Sequence, residues 1–335
     1  MSRSLTEKPA TILDVARVAR VSKSTVSNVI RGVGVTAPIT KERVRQAIDT
    51  LGYRPNLIAR QMVQQRTSLI GVVIGDLANP FYSEMAKAVE WHATARGYRV
   101  MICNTQIDER RELASLRSLL DYRVAGLVML AYAGDAESRQ LVTEARVPAV
   151  FVTCMADWGD IVSTDDEKGG RLATEHLIGL GHARIAYVGD SSVEDAADHA
   201  RARGYRKAMS AAGLKLAIHH WRDVSLEALL AGRTRVSGIV SSNDLGAIEI
   251  LDTADRLGIR VPEDLSVVGY DDISIAGLKR ISLTTIAQPK DELAHSALNM
   301  LHARVTGEAH GKPKRAIIEG GLVIRGTTAR VQPRQ

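Results

Sequence analysis

The sequence predicts a small all-α head of the helix-turn-helix kind, followed by a two-lobed, doubly wound parallel α/β core. Three observations predict it. Residues 1–66 hold 12 Lys+Arg against 4 Asp+Glu, a net of +8 where the whole chain carries +6, so the remaining residues sum to −2. That basic stretch shows apolar residues only at helical spacing. From Ser68 onward, short continuous apolar runs alternate with helix-period segments, the pattern of strands buried on both faces of parallel sheets.

At 335 residues the chain exceeds one ordinary domain. Its 45% hydrophobic and 24% charged content is that of a globular protein, with no apolar run of the roughly 20 residues a membrane helix requires. Met1–Ala10 lacks the charged-then-apolar pattern of an export signal, which places the chain in the cytoplasm. Cys103 and Cys154 are too few for a metal cage and read as small buried apolar residues. No metal and no other cofactor is expected.

In the head, Ile12, Val15, Ala16 and Ala19 recur at helical spacing behind Thr11, with Asp14 three residues on as a capping partner. A tight Arg20-Val21 link leads to Ser22, an N-cap for a second helix through Ile30 that buries Val26, Val29 and Ile30 and exposes Lys23, Ser24, Thr25, Ser27 and Asn28. After a loop with Gly32, Gly34 and Pro38, a third helix is expected behind a Thr40 cap, using Val44, Ala47, Ile48 and Leu51 and ending at Gly52. Leu57–Gln65 is a marginal fourth stretch, barely helical alone. On charge alone, nucleic acid and a membrane-surface or solvated basic face are served equally; two short helices with a tight turn favour nucleic acid.

The core reads as strands at 69–74, 100–103, 126–130 and 149–152, with helices at 81–96 and 110–120 between them. The rhythm restarts with helices at 169–180, 201–212 and 245–257 and strands at 184–188, 236–240 and 265–268.

The motifs Ile12-Leu13-Asp14-Val15-Ala16, Val21-Ser22-Lys23-Ser24-Thr25-Val26-Ser27 and Leu51-Gly52-Tyr53-Arg54-Pro55-Asn56 resemble successive signatures of the LacI/GalR repressor family. The likeness continues through Asn79-Pro80-Phe81-Tyr82, Glu175-His176-Leu177, Gly181-His182, Asn243-Asp244, the run Val261–Asp272 and Leu283-Thr284-Thr285-Ile286. It implies a DNA headpiece at 1–54, a hinge at 55–66 and a core of periplasmic-binding-protein type at 67–335. In that core, lobe one spans about 67–162 plus 290–325, lobe two about 163–289, and the chain crosses between them three times.

The resemblance puts Lys23 and Ser24 at base-reading positions of a helix in the major groove, Thr25 and Ser27 at base or phosphate, and Asn28 where an amide can read adenine. Thr11 and Tyr53 would sit on phosphates, Thr11 serving equally as a helix cap. Asn56, Ala59 and Met62 fall on a hinge helix that pairs with its dimer mate in the minor groove, Met62 standing at the position of the apolar wedge or packing against the other hinge. The loop from Gly32 to Ile39 is about three residues longer than usual. The partners so implied are a palindromic operator in double-stranded DNA, a second copy of the chain and a sugar-like effector; no membrane is among them.

For the effector, the resemblance implies Phe81, Asp195, Arg201, Asn243 and Asp271, at the carboxyl ends of strands where doubly wound lobes bind ligands. Each has a plainer reading, as core residue, surface charge, turn former or cap. Residues 214–226 look shorter than in relatives and contain His219, His220 and Trp221; the two histidines read as a solvated loop, with no third ligand for a metal. No phosphate-binding loop, Gly-x-Ser-x-Gly, His-Glu-x-x-His or dinucleotide fingerprint is present, so the chain is expected to be a regulator and not an enzyme. Repression controlled by effector leads; activation, corepression and a plain solute-binding protein are the alternatives.

Overall fold

The computed structural model describes residues 10–53, 67–132, 134, 136–154, 156–189, 196–231 and 235–331. It divides into two compact units, Met1–Thr67 and Ser68–Gln335.

Among the described residues the first unit has three helices, α1 (Ile12–Ala19), α2 (Lys23–Arg31) and α3 (Pro38–Leu51). Thr11 and Asp14 close a reciprocal capping box on α1, Thr11 Oγ1 accepting from the Asp14 amide at 3.3 Å and Asp14 Oδ2 from the Thr11 amide at 3.0 Å. Arg20 in the left-handed region ends α1, and Ser22 Oγ caps α2 by accepting from the Thr25 amide at 3.1 Å. The third helix begins two residues before the Thr40 cap that the sequence suggests. Pro38 occupies its first position, where a fixed φ and a missing N–H cost nothing, and Ala37 precedes it without a side-chain cap. Val15, Ala16, Ala19, Val26, Val44 and Ala47 form a core of six buried side chains.

The second unit contains two six-stranded sheets. Lobe one holds β1 (Leu69–Ile74), β2 (Arg99–Asn104), β3 (Gly126–Met129), β4 (Ala149–Val152), β5 (Asp160–Ser163) and β11 (Arg315–Ile317), all parallel, in the order β11-β5-β4-β3-β1-β2. Lobe two holds β6 (Ile185–Gly189), β7 (Ile218–His220), β8 (Gly238–Ser241), β9 (Ser266–Asp271), β10 (Thr284–Ala287) and β12 (Gly321–Val323), in the order β12-β10-β9-β8-β6-β7, with β12 alone antiparallel.

Helices α4 (Pro80–Ala95), α5 (Glu109–Asp121), α6 (Ala136–Ala145) and α11 (Lys290–Thr306) cover the first sheet. Helices α7 (Asp166–Gly179), α8 (Ala196–Ala211), α9 (Leu226–Ala231) and α10 (Asp244–Arg256) cover the second. The chain passes between the sheets after β5, after β10 and after β11, the three crossings expected.

Two expectations change. The segment 290–325 does not stay in lobe one: α11 and β11 do, but Gly321–Val323 pairs with β10 in the second sheet, and the Val331 amide bonds the Leu180 carbonyl at 3.0 Å. Ile218-His219-His220 is not a loop but the edge strand β7, because β6 supplies backbone partners over Tyr187–Gly189 that no side-chain pattern announces. Cys103 lies in β2 and Cys154 just after β4, both half-buried, and burial raises the Cys103 thiol.

Helices α7 and α8 lie in backbone contact. A Cβ on Gly170 would stand 2.1 Å from the Arg201 carbonyl, and one on Gly204 would stand 2.1 Å from that of Glu167. This approach sets Arg201, on α8, against the first turn of α7.

Candidate functional site

In the head, Val26 is fully buried on α2, alone among that helix's described side chains, and the helix has no acidic residue. Lys23 and Ser24 are exposed and Thr25, Ser27 and Asn28 half-buried. A lysine in the first turn opposes the helix dipole, an arrangement suited to meeting an anion there rather than to stabilising the helix alone. The Thr11 side chain is exposed while it caps α1, so both readings of it stand. Tyr53 is half-buried against the small core, and burial raises its phenol. Asn56, Ala59 and Met62 lie outside the described residues, as does Asp195.

The polar centre of the core lies at the carboxyl ends of the second sheet. Arg201 is 8% exposed; its Nε donates to Asp166 Oδ1 at 2.9 Å, its Nη1 donates to the Ser242 carbonyl at 2.7 Å, and its guanidinium stacks 3.7 Å from the Tyr270 ring centroid. Asp271 closes β9 with φ of 111°, 4.0 Å from Arg201 Nη1, and accepts from Gln288 Nε2 at 2.7 Å. Burial holds its carboxyl up to about 6 against the pull of Arg201, Gln288 and Lys290. Asp244, in the first turn of α10, is held up to about 7 by burial and by the charge of Asp271, although Thr285 Oγ1 at 2.6 Å and the Ile273 amide at 2.9 Å donate to it. Asn243 is half-buried and caps α10, accepting from the Gly246 amide at 2.8 Å.

The crossing segments are tied to this centre. Thr164, just after the first crossing begins, donates to Gln288 Oε1 at 3.2 Å, and Gln288 donates to Asp271. Lys290 donates to the carbonyls of Asp271 and Asp272, both at 2.8 Å, and pairs with Glu84 of lobe one at 3.2 Å; Glu84 in turn accepts from the Ser274 amide at 2.8 Å. Phe81 sits one turn before Glu84 on α4, 6% exposed. A cavity of about 980 Å³ opens beside the centre, with Thr153, Ser163 and Ile317 from lobe one and Asp166, His199 and Arg203 from lobe two in its wall; Asp166 belongs to both cavity and centre.

The structure thus brings Arg201 and Asp271 together, sets Asn243 next to the Ser242 carbonyl that Arg201 holds, and places Phe81 on the lobe-one helix that reaches the same segment through Glu84. Sequence reasoning missed Asp166, Tyr270, Asp244, Gln288 and Lys290. It also passed over Trp221, which follows β7, whose backbone amide donates to the Gly189 carbonyl at 2.9 Å and whose indole packs where Gly246 leaves room at the start of α10. Adjacency was the available signal for two of them: Tyr270 precedes Asp271 and Asp244 follows Asn243.

Residues 11–56 match the family described as bacterial regulatory proteins, lacI family, and residues 174–328 match a periplasmic binding protein-like domain. The ribose operon repressor of Escherichia coli (strain K12) is 36% identical over 312 residues, covering 89% of this chain and 93% of that protein. Among solved structures, the lac repressor dimer bound to operator and the anti-inducer ONPF superposes with a TM-score of 0.83 at 28% identity over 96% of this chain and 100% of that one. The complex of the transcriptional regulator CelR with cellobiose does so at 0.70 and 29% identity, over 95% and 99%.

Proposed function

The chain belongs to the lacI family of bacterial regulatory proteins and is a DNA-binding transcriptional regulator with a periplasmic-binding-protein-like effector core; from that premise we propose a homodimeric repressor of a catabolic operon. A sugar-like effector bound between the lobes would set its hold on a palindromic operator. The observation that carries this reading is the pairing of a basic, polar-faced α2 with a buried Arg201–Asp166–Asp271 centre at the strand ends of the core.

On the DNA side, Lys23, Ser24, Thr25, Ser27 and Asn28 would face the major groove, Thr11 and Tyr53 the phosphates, and Asn56, Ala59 and Met62 the minor groove. On the effector side, Asp271 would accept from a ligand hydroxyl, Arg201 and Asn243 would orient it, Asp195 would add a carboxylate, and Phe81 with Trp221 would offer apolar faces. The ties from Asp271 through Gln288 to Thr164, and through Lys290 to Glu84, support a linkage in which a ligand on Asp271 shifts the relative orientation of the lobes, and with it the operator-binding state. A cytoplasmic location accords with this role; among the described residues no helix is long and apolar enough to cross a membrane. No catalytic step is assigned to the centre.

The direct test is selection of duplexes from a random DNA pool by the full-length protein. The recovered sequences should be two-fold symmetric, with affinity falling steeply as salt rises. Asn28→Ala should relax base choice at one position of each half-site by about 1–3 kcal/mol. Sequences without two-fold symmetry would remove the homodimer reading, and unchanged base choice would remove Asn28 from the groove.

A further inference from the structure

Two buried serine hydroxyls at the strand ends have no hydrogen-bond partner among the described residues. Ser163 closes β5 in lobe one and is 3% exposed; Ser242 follows β8 in lobe two and is 2% exposed. Ser163 lines the cavity between the lobes, and the Ser242 carbonyl is the one that Arg201 holds. A hydroxyl buried without a partner costs the free protein stability, and a ligand that supplied the missing bond would recover it.

The charges around them are already spent on one another. Arg201 faces Asp166 and Asp271, Lys290 faces Glu84, and Arg325 faces Asp272 at 2.6 Å. In the cavity wall Lys168 pairs with Glu319 at 2.7 Å, Arg171 with Glu175 at 2.9 Å and Arg203 with Glu167 at 3.2 Å, and Arg315 is engaged as well. Burial raises the carboxyls of both Asp244 and Asp271, and the charge of Asp271 adds to the rise at Asp244. An anionic ligand would have to break an ion pair or face the carboxylates of Asp166 and Asp271, whereas a polyol brings donors for carboxylates and donor-acceptor groups for serines.

We propose that Ser163 and Ser242, one from each lobe, determine specificity by pairing with hydroxyls of an uncharged, polyhydroxylated effector, and that the cleft discriminates against the phosphorylated and carboxylated forms of the same sugar. The inference rests on the effector-binding reading above and deepens it.

Thermal-shift and calorimetric titration of the full-length protein would compare D-ribose, D-xylose, D-glucose and cellobiose with ribose 5-phosphate, glucose 6-phosphate, gluconate, glucosamine and adenine. At least one neutral sugar should raise Tm, and its phosphate or acid counterpart should bind at least about tenfold more weakly. Ser163→Ala and Ser242→Ala should each weaken that sugar by roughly three- to thirtyfold while leaving the unliganded Tm unchanged or higher, since each removes a hydroxyl that nothing satisfies in the free protein. Tighter binding of an anionic sugar, an amino sugar or the base overturns the inference and leaves the effector reading intact. Unchanged sugar affinity in both serine variants, or an unliganded Tm several degrees lower, overturns it too, because the hydroxyls would then be idle or structural. No response to any compound would defeat the effector reading, and the inference with it.

Discussion

Lobe one and lobe two carry their strands in matching order, with β2 and β7 at one edge, β1 and β6 beside them and β11 and β12 at the other edge, yet the two sheets end in different chemistry. In lobe one, β1, β3 and β4 run out in Ile74, Leu130 and Val152, none more than 1% exposed. In lobe two, β8 and β9 run out in Ser241, Ser242, Asp244 and Asp271, also buried, at no more than 4% exposure, but polar. Sheet hydrogen bonds are made by backbone, so strand order constrains the residues at strand ends very little. One lobe can therefore present an apolar wall and its twin a charged centre. On the reading proposed above, lobe two would supply most of the groups that read the ligand, with Ser163 and Thr153 as polar residues of the cavity wall from lobe one.

The largest expected effect is on the charged side. Arg201→Met keeps most of the aliphatic volume but leaves Asp166 and Asp271 buried without their cation, which costs about 3–5 kcal/mol. Because Asp271 takes up a proton near pH 6, the loss should be smaller at pH 5 than at pH 8. Scanning calorimetry of the intact protein at both pH values checks this. An equal loss at both would mean that Asp271 is not the charge left behind.

That asymmetry between the lobes was only half legible in the sequence. The alternation of apolar runs gave seven of the twelve described strands, because strands buried on both faces need apolar residues throughout, but not the interior β5 and β10; Thr11 and Ser22 marked the starts of α1 and α2 by their capping chemistry. Short edge strands escaped: Ile218-His219-His220 owes its pairing to β6, and Gly321–Val323 owes its sheet to β10, neither to its own composition. The resemblance located Arg201 and Asp271, but not what holds them. Asp166 lies 35 residues from Arg201 and Gln288 lies 17 from Asp271, distances at which no periodicity operates. The sequence starts this helix at Gly169, three residues late: Asp165 caps α7 by accepting from the Lys168 amide at 2.9 Å, and Asp166 in the first turn meets Arg201 only because α8 is brought against α7 at Gly170 and Gly204.

The next effect in size concerns Asp244. Its carboxyl is raised from 3.8 to about 7, so the folded state holds a proton that the unfolded chain has released, and the stability this gives is fully present below about pH 4 and lost as pH rises toward 7. The swing is roughly 2–4 kcal/mol at 1.36 kcal/mol per pH unit. Asp244→Asn keeps a neutral group that can accept from the Ile273 amide and donate to Thr285 Oγ1, so it should flatten the pH dependence and raise Tm at pH 8 relative to the parent. A variant whose Tm still fell by the parental amount between pH 5 and pH 8 would show that Asp244 is ionised in the folded protein.

The smallest effect belongs to the apolar wall. Phe81→Leu in the first turn of α4 removes part of a ring that is 6% exposed and meets Tyr82 edge-on at 5.5 Å. The loss of packing should be roughly 1–2 kcal/mol, below the cost of a full truncation to alanine. No titratable group contributes to that loss, so it should be the same at pH 5 and pH 8, in contrast with both substitutions in lobe two. A pH-dependent loss would mean that Phe81 shields the Glu84–Lys290 pair one turn further along the helix, in which case the wall of lobe one is part of the charged centre and the division between the lobes is less sharp than their strand ends suggest.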